Sequence, residues 1–236
     1  MQLIPEIEAL ASKAIELRDY ITSEEGSKTS LVLPLLGILG YDVFNPKQVA
    51  AEFIADMGIK KGEKVDYALM GSGEPKLIIE CKKIGGSLET ASVSQLFRYF
   101  TALHVRLGIL TDGIVYRFFS DIEVPNIMDT SPFFEFDLVA HTQADLDFLM
   151  RFRKGCLTGQ MKMLLRECKK RRLVSKIRES IRYSCRVTPN FINDIQATLA
   201  SSNLVSTSRK ELERIARRVA LEESIRVVED NFKQQR

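Results

Sequence analysis

The sequence predicts an α/β fold in which helices flank a central sheet, followed by an all-helical C-terminal region. Two apolar, β-rich runs at residues 64–70 and 76–82 are separated by Gly71-Ser-Gly-Glu-Pro75 and are typical of a hairpin. Apolar residues at helical spacing precede this hairpin, and helix-capping signals dominate the chain beyond residue 141.

The N-terminal part is predicted to be helical. Residues 3–20 carry apolar side chains at helical spacing, with charges between them. The apolar run at residues 31–39 predicts a second, largely buried helix that opens near Ser27. Pro34 predicts a kink in this helix, and Gly40 predicts its end.

Short strands are predicted on both sides of the hairpin. They are residues 41–44, residues 49–55, residues 107–111 and residues 114–119. A basic, glycine-punctuated turn at residues 58–62 leads into the hairpin, and Asp112-Gly113 predicts a tight turn between the last two strands. A helix is predicted from Ser87 or Thr90 through Leu103.

The remainder of the chain is predicted to be helical after an irregular stretch at residues 121–137. Capping signals mark the expected helix starts at Thr142–Asp145, Thr188-Pro189 and Ser208–Glu211. The change from mixed to helical structure places a domain boundary there, and we divide the chain into a domain of residues 1–140 and a basic helical domain of residues 141–236.

The charge distribution changes near the same boundary. Residues 1–141 carry 13 Lys or Arg against 20 Asp or Glu, whereas residues 142–236 carry 21 against 11. An acidic half joined to a basic half is typical of a chain in which one part binds a polyanion and the other binds metal or a partner. The alternative is that the basic side chains only solvate exposed helices.

Several classes of protein are disfavoured by composition. The four cysteines are scattered and form no Cys-x-x-Cys pair: Cys81, Cys156, Cys168 and Cys185. Zinc, iron–sulfur and disulfide frameworks are therefore poorly supported, and the two histidines leave little room for histidine-dependent hydrolysis. No apolar stretch spans a bilayer and the N-terminus lacks signal-peptide features, so a cytoplasmic protein is expected.

The hairpin carries the candidate catalytic residues. If Met70 and Lys76 flank the turn, Asp66 lies directly opposite Glu80, and alternation places Lys82 on the same face. Facing carboxylates repel without a cation, which disfavours the alternative of a surface salt-bridge ladder. The arrangement predicts a Mg²⁺ site beside a lysine, which is the chemistry of phosphodiester hydrolysis.

Each of these groups has an expected role. Asp66 and Glu80 would supply carboxylate ligands, and the Cys81 carbonyl would add a third oxygen. Lys82 would orient the attacking water or stabilise its hydroxide form. Mn²⁺ is expected to substitute for Mg²⁺.

The strand–hairpin–helix–strand order with Asp and then Glu-x-Lys resembles the PD-(D/E)XK nuclease superfamily, although Val65 stands where the motif has proline. The chain more closely resembles the N-terminal nuclease domain of type I restriction enzyme R subunits and short stand-alone prophage and archaeal proteins built on it. The matching segments are Glu24-Glu-Gly-Ser-Lys28, Leu39-Gly-Tyr-Asp-Val43, Lys64-Val-Asp66, Ile79-Glu-Cys-Lys-Lys83, Gln95-Leu-Phe-Arg-Tyr-Phe100 and Leu110-Thr-Asp-Gly113.

This resemblance covers roughly residues 20–135. It implies a restriction-endonuclease-like mixed sheet and a Mg²⁺-dependent endo- or exonuclease acting on DNA, in restriction, phage defence or prophage biology. It also implies a catalytic role for Gln95 and Tyr99, which share one helix face. They would either hydrogen-bond DNA or hold the strand that carries the lysine.

Further site residues are expected outside the carboxylate pair, and the resemblance bears only on the first of them. An additional acid for the metal is expected at Glu24, with Glu25 as the alternative if the alignment slips by one, unless both only stabilise a helix N-terminus. Arg98, Lys28 and Lys83 are expected to meet phosphates. The basic stretch Lys169-Lys-Arg-Arg172 either tracks a phosphate backbone or is a solvated helix face.

The expected partners are DNA and other subunits. This sequence contains no Gly-x-x-x-x-Gly-Lys-Ser/Thr phosphate loop and no visible methyltransferase signature. A restriction system built on this chain would therefore use separate motor and modification subunits. A homodimer is expected if both strands are cut. The alternatives to a nuclease are a non-catalytic nucleic-acid binder and an interaction subunit of a larger restriction-like complex.

Overall fold

The computed structural model describes residues 3–54, 64–184 and 208–234, together with residues 193 and 197. The described residues form a six-stranded mixed sheet flanked by helices and a helical C-terminal region, so the predicted fold class is confirmed. By their contacts they divide into two units. The first is Met1–Asp121 with Pro125–Leu165, and the second is Ile122–Val124 with Arg166–Arg236.

The N-terminal helices are interrupted by a π-helical turn. Helix α1 is Leu3–Leu17, helix α2 is Glu24–Ser27, the π-helical turn is Lys28–Val32, and helix α3 is Leu33–Ile38. Ser23 caps α2, since its hydroxyl accepts a hydrogen bond from the Gly26 N–H at 3.0 Å. Pro34 has no N–H to donate to the Ser30 carbonyl, and the wider π turn lies where that α-helical bond is missing.

The sheet follows chain order. Its strands are β1 (Val49–Ile54), β2 (Lys64–Gly71), β3 (Glu74–Cys81), β4 (Leu107–Thr111), β5 (Val115–Ser120) and β6 (Phe134–Asp137). Every neighbouring pair is antiparallel except β3 and β4, which are parallel. Parallel neighbours need a crossover connection. Helix α4, Thr90–Leu103, supplies it.

The hairpin is longer than predicted and contains a bulge. Its strands continue to Gly71 and Glu74, and a two-residue turn joins them at Ser72 and Gly73, with φ angles of +55° and +84°. Positive φ at both positions is the signature of a type I′ turn, which suits the twist of a hairpin. The register shifts between Leu69 and Met70, and this bulge separates the turn from the pairing further along the strands.

Helix α4 covers the face of the sheet that contains Ile78. Ile78 belongs to one buried cluster with Leu96 and Phe100 of the helix. Gly108 of β4 allows this close packing, because an added Cβ would lie 3.3 Å from both Leu96 and Phe100. Since side chains alternate along a strand, residues 80 and 82 of the chain share this covered face.

Two strand predictions were wrong. Residues 41–44 form a turn, because the Asp42 carboxylate and the Gln48 amide bond to the local backbone in place of a ladder. Tyr41 is nevertheless buried, and its hydroxyl donates to the Phe152 carbonyl at 2.8 Å. In the stretch predicted to be irregular, the structure forms β6, whose four residues are too short for their alternation to stand out.

The helices after the sheet are α5 (Gln143–Leu149), a 3₁₀ turn (Met150–Phe152), α6 (Lys154–Gly159), α7 (Met161–Ser184) and α8 (Arg209–Gln234). The predicted capping box at Thr142 and Asp145 is confirmed. The predicted cap at Thr188-Pro189 and the turn at residues 58–62 lie outside the described residues. None of the described helices combines the length and apolar character that a bilayer-spanning segment needs.

Residues between 141 and 165 pack with the sheet. Phe152 contacts Phe118, with ring centroids 4.6 Å apart, and Phe148 packs edge-on against Phe134 and Phe152. The predicted division at residue 140 groups these residues with the C-terminal helices, whereas by their contacts they belong to the first unit. The division at residue 140 stays a prediction.

Candidate active site

The β2–β3 hairpin brings two carboxylates face to face. Tyr67 pairs with Ile79, so the next pair along the ladder places Asp66 opposite Glu80. This is the position that the hairpin prediction requires, and the bulge at Met70 does not disturb it. Alternation then puts Lys82, just past the end of β3, on the same face.

Glu80 is buried, and only one of its two carboxylate oxygens accepts a hydrogen bond within the described residues. Its side chain is 3 % exposed, and Oε1 accepts a hydrogen bond from the Lys82 ammonium at 2.7 Å. Oε2 is buried and finds no hydrogen-bond partner among the described residues. Burial, followed by the negative charge of Asp66, raises the pKa of Glu80 to about 7, although the hydrogen bond from Lys82 opposes this rise.

Asp66 uses each oxygen differently. Oδ2 accepts a hydrogen bond from the Cys81 backbone N–H at 2.6 Å, which ties the carboxylate to the neighbouring strand. Oδ1 lies 2.5 Å from the Lys28 ammonium. A positive charge therefore already stands beside this carboxylate, although the sequence analysis expected Lys28 to meet a phosphate.

Lys82 is held by a chain of hydrogen bonds from α4. Its ammonium lies 3.3 Å from the Gln95 carbonyl oxygen, and the Gln95 amide donates to the Tyr99 hydroxyl at 3.3 Å. Tyr99 is buried in the cluster beneath α4. These contacts favour the second of the two predicted roles for Gln95 and Tyr99, which is to hold the lysine in place.

The ammonium of Lys82 is stabilised in its charged form. Burial lowers the pKa of this lysine, but the hydrogen bond and the charge of Glu80 outweigh it and raise the pKa above its usual value. The raised pKa favours a role for Lys82 as a hydrogen-bond donor and positive charge.

Helix α2 brings further carboxylates to the site through Lys28. Glu24 lies 3.3 Å from the Lys28 ammonium and Glu25 lies 3.7 Å from it. Glu25 is also the more exposed of the two. Of the two acids that the sequence left open, Glu24 is thus closer to the cluster around Asp66. Burial lowers the pKa of Lys28, but Asp66 and Glu24 outweigh it and raise that pKa well above its usual range.

Two residues that sequence reasoning did not select fix the segment after β3. The buried Ser27 hydroxyl accepts a hydrogen bond from the Ile84 N–H at 2.8 Å, and Asp112 Oδ2 accepts one from the Gly85 N–H at 2.9 Å. The Asp112-Gly113 pair indicates a turn in the sequence. It does not indicate that the Asp112 carboxylate binds the segment after β3. The contact made by Ser27 joins residues 57 positions apart and has no local signal.

The donor set fits a hard divalent cation. Glu80 Oε2 is a buried carboxylate oxygen without a hydrogen-bond partner in the described part of the chain, and such an oxygen costs about 1–3 kcal/mol unless a cation or water satisfies it. No group of three or more His, Cys, Asp or Glu side chains is arranged to hold a metal within the part of the chain that the structure describes. Mg²⁺ requires only one or two carboxylates, since waters and substrate complete its shell.

Cys81 contributes no thiolate to the site. Burial raises the pKa of its thiol well above the usual value, so the sulfur behaves as a small apolar group. The Cys81 carbonyl stays a predicted third ligand.

The predicted phosphate-binding residues differ in their placement. Lys83 and Arg98 are exposed, and the Arg98 guanidinium contacts the Ser94 carbonyl at 3.5 Å. In α7, Lys170 is exposed and pairs with Glu167 at 3.0 Å, while Lys169 and Arg171 are half-buried.

Arg172 is buried, in contrast to the other residues of the basic stretch. It is 3 % exposed, and its guanidinium donates to the Glu123 carboxylate at 2.7 Å. One helical turn separates it from the buried Cys168, so both lie on the inner face of α7. A predicted phosphate contact by Arg172 therefore does not fit its position, whereas an internal ion pair does.

The comparison with protein families agrees with the site. Residues 48–127 match the family model described as type I restriction enzyme R protein N terminus (HSDR_N). The match contains both carboxylates of the hairpin, Lys82 and the Gln95–Tyr99 pair, and it begins after Glu24 and Lys28. The resemblance predicted from the sequence is confirmed over these residues, and it supports a restriction-enzyme nuclease-like domain. No curated protein and no solved structure was found to match the chain.

Proposed function

We propose that this protein is a metal-dependent nuclease that hydrolyses DNA phosphodiester bonds, with Mg²⁺ as its metal and Mn²⁺ as a substitute. The observation that carries the proposal is the buried, unpartnered Oε2 of Glu80, beside Lys82 and across the hairpin from Asp66. The family match over residues 48–127 supports the same chemistry.

The hairpin would hold the metal. Asp66 Oδ1 and Glu80 Oε2 are the carboxylate oxygens that the protein offers, and the Cys81 carbonyl is the third. When bound, the metal lowers the pKa of a water molecule and offsets the charge that develops on the phosphate.

Lys82 would act beside these ligands. Its ammonium, held by Glu80 and Gln95, orients the attacking water and stabilises the hydroxide that forms when this water loses a proton to solvent. The hydroxide oxygen then adds to phosphorus. The P–O bond to the leaving sugar oxygen then breaks, and that oxygen takes up a proton from solvent. Tyr99 positions Gln95, and through it Lys82.

The partners follow from the family. A domain that resembles the N terminus of a type I restriction enzyme R protein would act together with motor and modification activities, in restriction, phage defence or prophage biology. Lys83 and Arg98 are exposed candidates for phosphate contacts, with Lys169, Lys170 and Arg171 as further ones on α7. The cytoplasm is the expected compartment for such a complex.

The direct test is cleavage of DNA by the full-length protein. Supercoiled plasmid, linear duplex and single-stranded DNA are incubated with Mg²⁺, Mn²⁺ or EDTA. We expect cleavage with either metal and none with EDTA, and we expect Asp66→Asn and Lys82→Met each to reduce the rate by about 10²-fold or more.

Lys76→Gln is the matched control. Lys76 lies near the tip of the same hairpin, where it pairs with the exposed Glu74 at 2.9 Å. It should cleave at the wild-type rate. If folded Asp66→Asn protein cleaves as fast as wild type, the proposed mechanism is wrong. Salt-dependent DNA binding without nicking under every metal condition would instead support a non-catalytic nucleic-acid binder.

A further inference from the structure

Lys28 is a cation that already occupies the carboxylate cluster. Its ammonium contacts Asp66 Oδ1 at 2.5 Å and Glu24 Oε1 at 3.3 Å. The Lys28 side chain is 14 % exposed, so these contacts are better shielded from water than an ordinary surface ion pair. Within the described residues, this places a positive charge at the oxygen that the proposed function assigns to the metal.

The other oxygen of Asp66 is already hydrogen-bonded to the backbone. Oδ2 accepts from the Cys81 N–H at 2.6 Å, in a hydrogen bond that also ties β2 to β3. We therefore take Oδ1, the oxygen that Lys28 contacts, as the oxygen that Asp66 would offer to a metal.

Two cations at Oδ1 compete with each other. Mg²⁺ binds carboxylate oxygens at about 2.0–2.1 Å. An ammonium that stays 2.5 Å from the same oxygen would lie within a few ångströms of a divalent ion, where like charges repel. Binding of the metal at Oδ1 is therefore favoured when Lys28 withdraws.

The backbone that carries Lys28 is anchored, so the side chain must supply the movement. The preceding residue, Ser27, accepts a hydrogen bond from the Ile84 N–H, and Leu31 packs closely against Gly113. Lys28 lies between these two anchors, at the start of the π-helical turn. Its long, flexible side chain can swing away while Glu24 and the sheet keep their places.

We propose that Lys28 is a tethered counter-ion that neutralises Asp66 in the metal-free protein and that the divalent metal must displace. Lys28 thereby weakens metal binding, and the site fills only when the metal concentration overcomes this competition. The proposal rests on the proposed function, since it takes Asp66 to be a metal ligand.

The test measures Mn²⁺ affinity of the full-length protein without DNA, from the electron paramagnetic resonance signal of free Mn²⁺. A neighbouring charge changes the affinity of a carboxylate for a proton by about 10- to 1000-fold, and partial exposure favours the lower end of that range. We therefore expect Lys28→Gln and Lys28→Met to bind Mn²⁺ about tenfold more tightly than wild type. Lys28→Arg keeps the charge and should keep the weaker affinity.

Two further variants make the outcomes distinguishable. Lys13→Gln removes one charge from an exposed position on α1 and should leave Mn²⁺ affinity unchanged. Asp66→Asn should abolish tight binding. If Asp66→Asn abolishes binding but both neutral Lys28 variants bind no more tightly than wild type, the counter-ion role is wrong and the nuclease proposal stands. If Mn²⁺ binds none of these proteins, or binds Asp66→Asn as well as wild type, both proposals fail.

Discussion

Glu80 occupies an environment that is unfavourable for a carboxylate, even with its hydrogen bond from Lys82. It is buried, one oxygen has no partner among the described residues, and its pKa is raised to about 7 by burial and by Asp66. Proteins tolerate such uncompensated groups mainly where function requires them. The same side chain therefore costs stability and supplies the strongest indication of activity.

Gln95 allows the positioning role to be separated from DNA binding. Gln95→Leu keeps the size of the side chain but removes the acceptor for Lys82 and the donor to Tyr99. We expect kcat for DNA cleavage to fall about tenfold, because the lysine loses its orientation. DNA affinity, measured in EDTA, should stay at the wild-type value.

Tyr99→Phe is the companion variant for this prediction. It removes only the hydroxyl that accepts from Gln95, so its effect on kcat should have the same sign and be smaller. A weaker DNA affinity with unchanged kcat in Gln95→Leu would contradict the positioning role and show that Gln95 contacts DNA directly.

Residues were predictable where their contacts are local. Asp66, Glu80 and Lys82 follow from strand alternation and hairpin pairing, which the sequence contains. The partner of Lys28 was not predictable, because it depends on how α2 packs against a strand almost 40 residues away. The burial of Arg172 was not predictable either. Four consecutive basic residues give no pattern from which the inward face of α7 could be identified.

At the scale of elements, the β4–β5 turn supports the π-helical turn that carries Lys28. Gly113 has a φ of +93°, and a Cβ added there would lie 2.9 Å from Leu31 Cδ1. Asp112 in the same turn accepts hydrogen bonds from the Ile114 and Val115 N–H groups as well as from Gly85. The turn therefore connects the N-terminal helices to the segment that follows β3.

Gly113→Ala tests this support, with Gly73→Ala as its matched control. Both glycines have positive φ, but a Cβ at Gly73 meets no atom within 4 Å. We expect Gly73→Ala to lower the free energy of unfolding by about 1 kcal/mol from backbone strain alone. Gly113→Ala should cost about 2–4 kcal/mol, because it adds a clash with Leu31. Urea denaturation measures the free energy of unfolding of both variants. Equal decreases would show that the Leu31 side chain moves aside without cost.

The elements were predictable where they are long and regular. Helix α4 was predicted to start at Ser87 or Thr90, and it starts at Thr90. The apolar, β-branched strands of the sheet were predicted within a few residues. The strand predicted at residues 41–44 was wrong because side chains of Asp42 and Gln48 compete for its backbone, and β6 was missed because four residues show little periodicity.

At the scale of the whole molecule, three residues from the middle of the chain belong with the C-terminal helices. Ile122–Val124 lies in the second unit, where Glu123 pairs with Arg172 at 2.7 Å and with Lys176 at 2.7 Å. Sequence order alone suggests one boundary, whereas this ion-pair cluster makes the second unit discontinuous. The charge asymmetry indicated a basic C-terminal half, but it could not show that part of its charge is used internally.

Glu123 should make the second unit sensitive to acid. Burial raises the pKa of its carboxyl, but the hydrogen bonds from Lys176 and Arg172 outweigh this and lower the pKa below 4.5. A carboxyl group whose pKa is lower in the folded chain than in the unfolded chain stabilises the fold at pH values above its unfolded pKa. That stabilisation is lost as the pH falls through the pKa of the folded chain. Thermal unfolding between pH 7 and pH 3 should show this loss.

Glu123→Gln is the comparison for this acid effect. The variant keeps a hydrogen-bond acceptor but removes the negative charge beside a buried arginine. Its free energy of unfolding at pH 7 should therefore be about 1–3 kcal/mol lower than that of wild type. The two proteins should converge on acidification. A constant difference across the range would mean that the charge of Glu123 does not carry the stabilisation.

The bulge between Leu69 and Met70 has a practical consequence for protein engineering. It separates the register at the hairpin tip from the register of the carboxylate pair, so the tip can change length while the inner ladder keeps its alignment. An epitope or a fluorescent reporter inserted between Ser72 and Gly73 should thus leave the pairing of Asp66 with Glu80 in place.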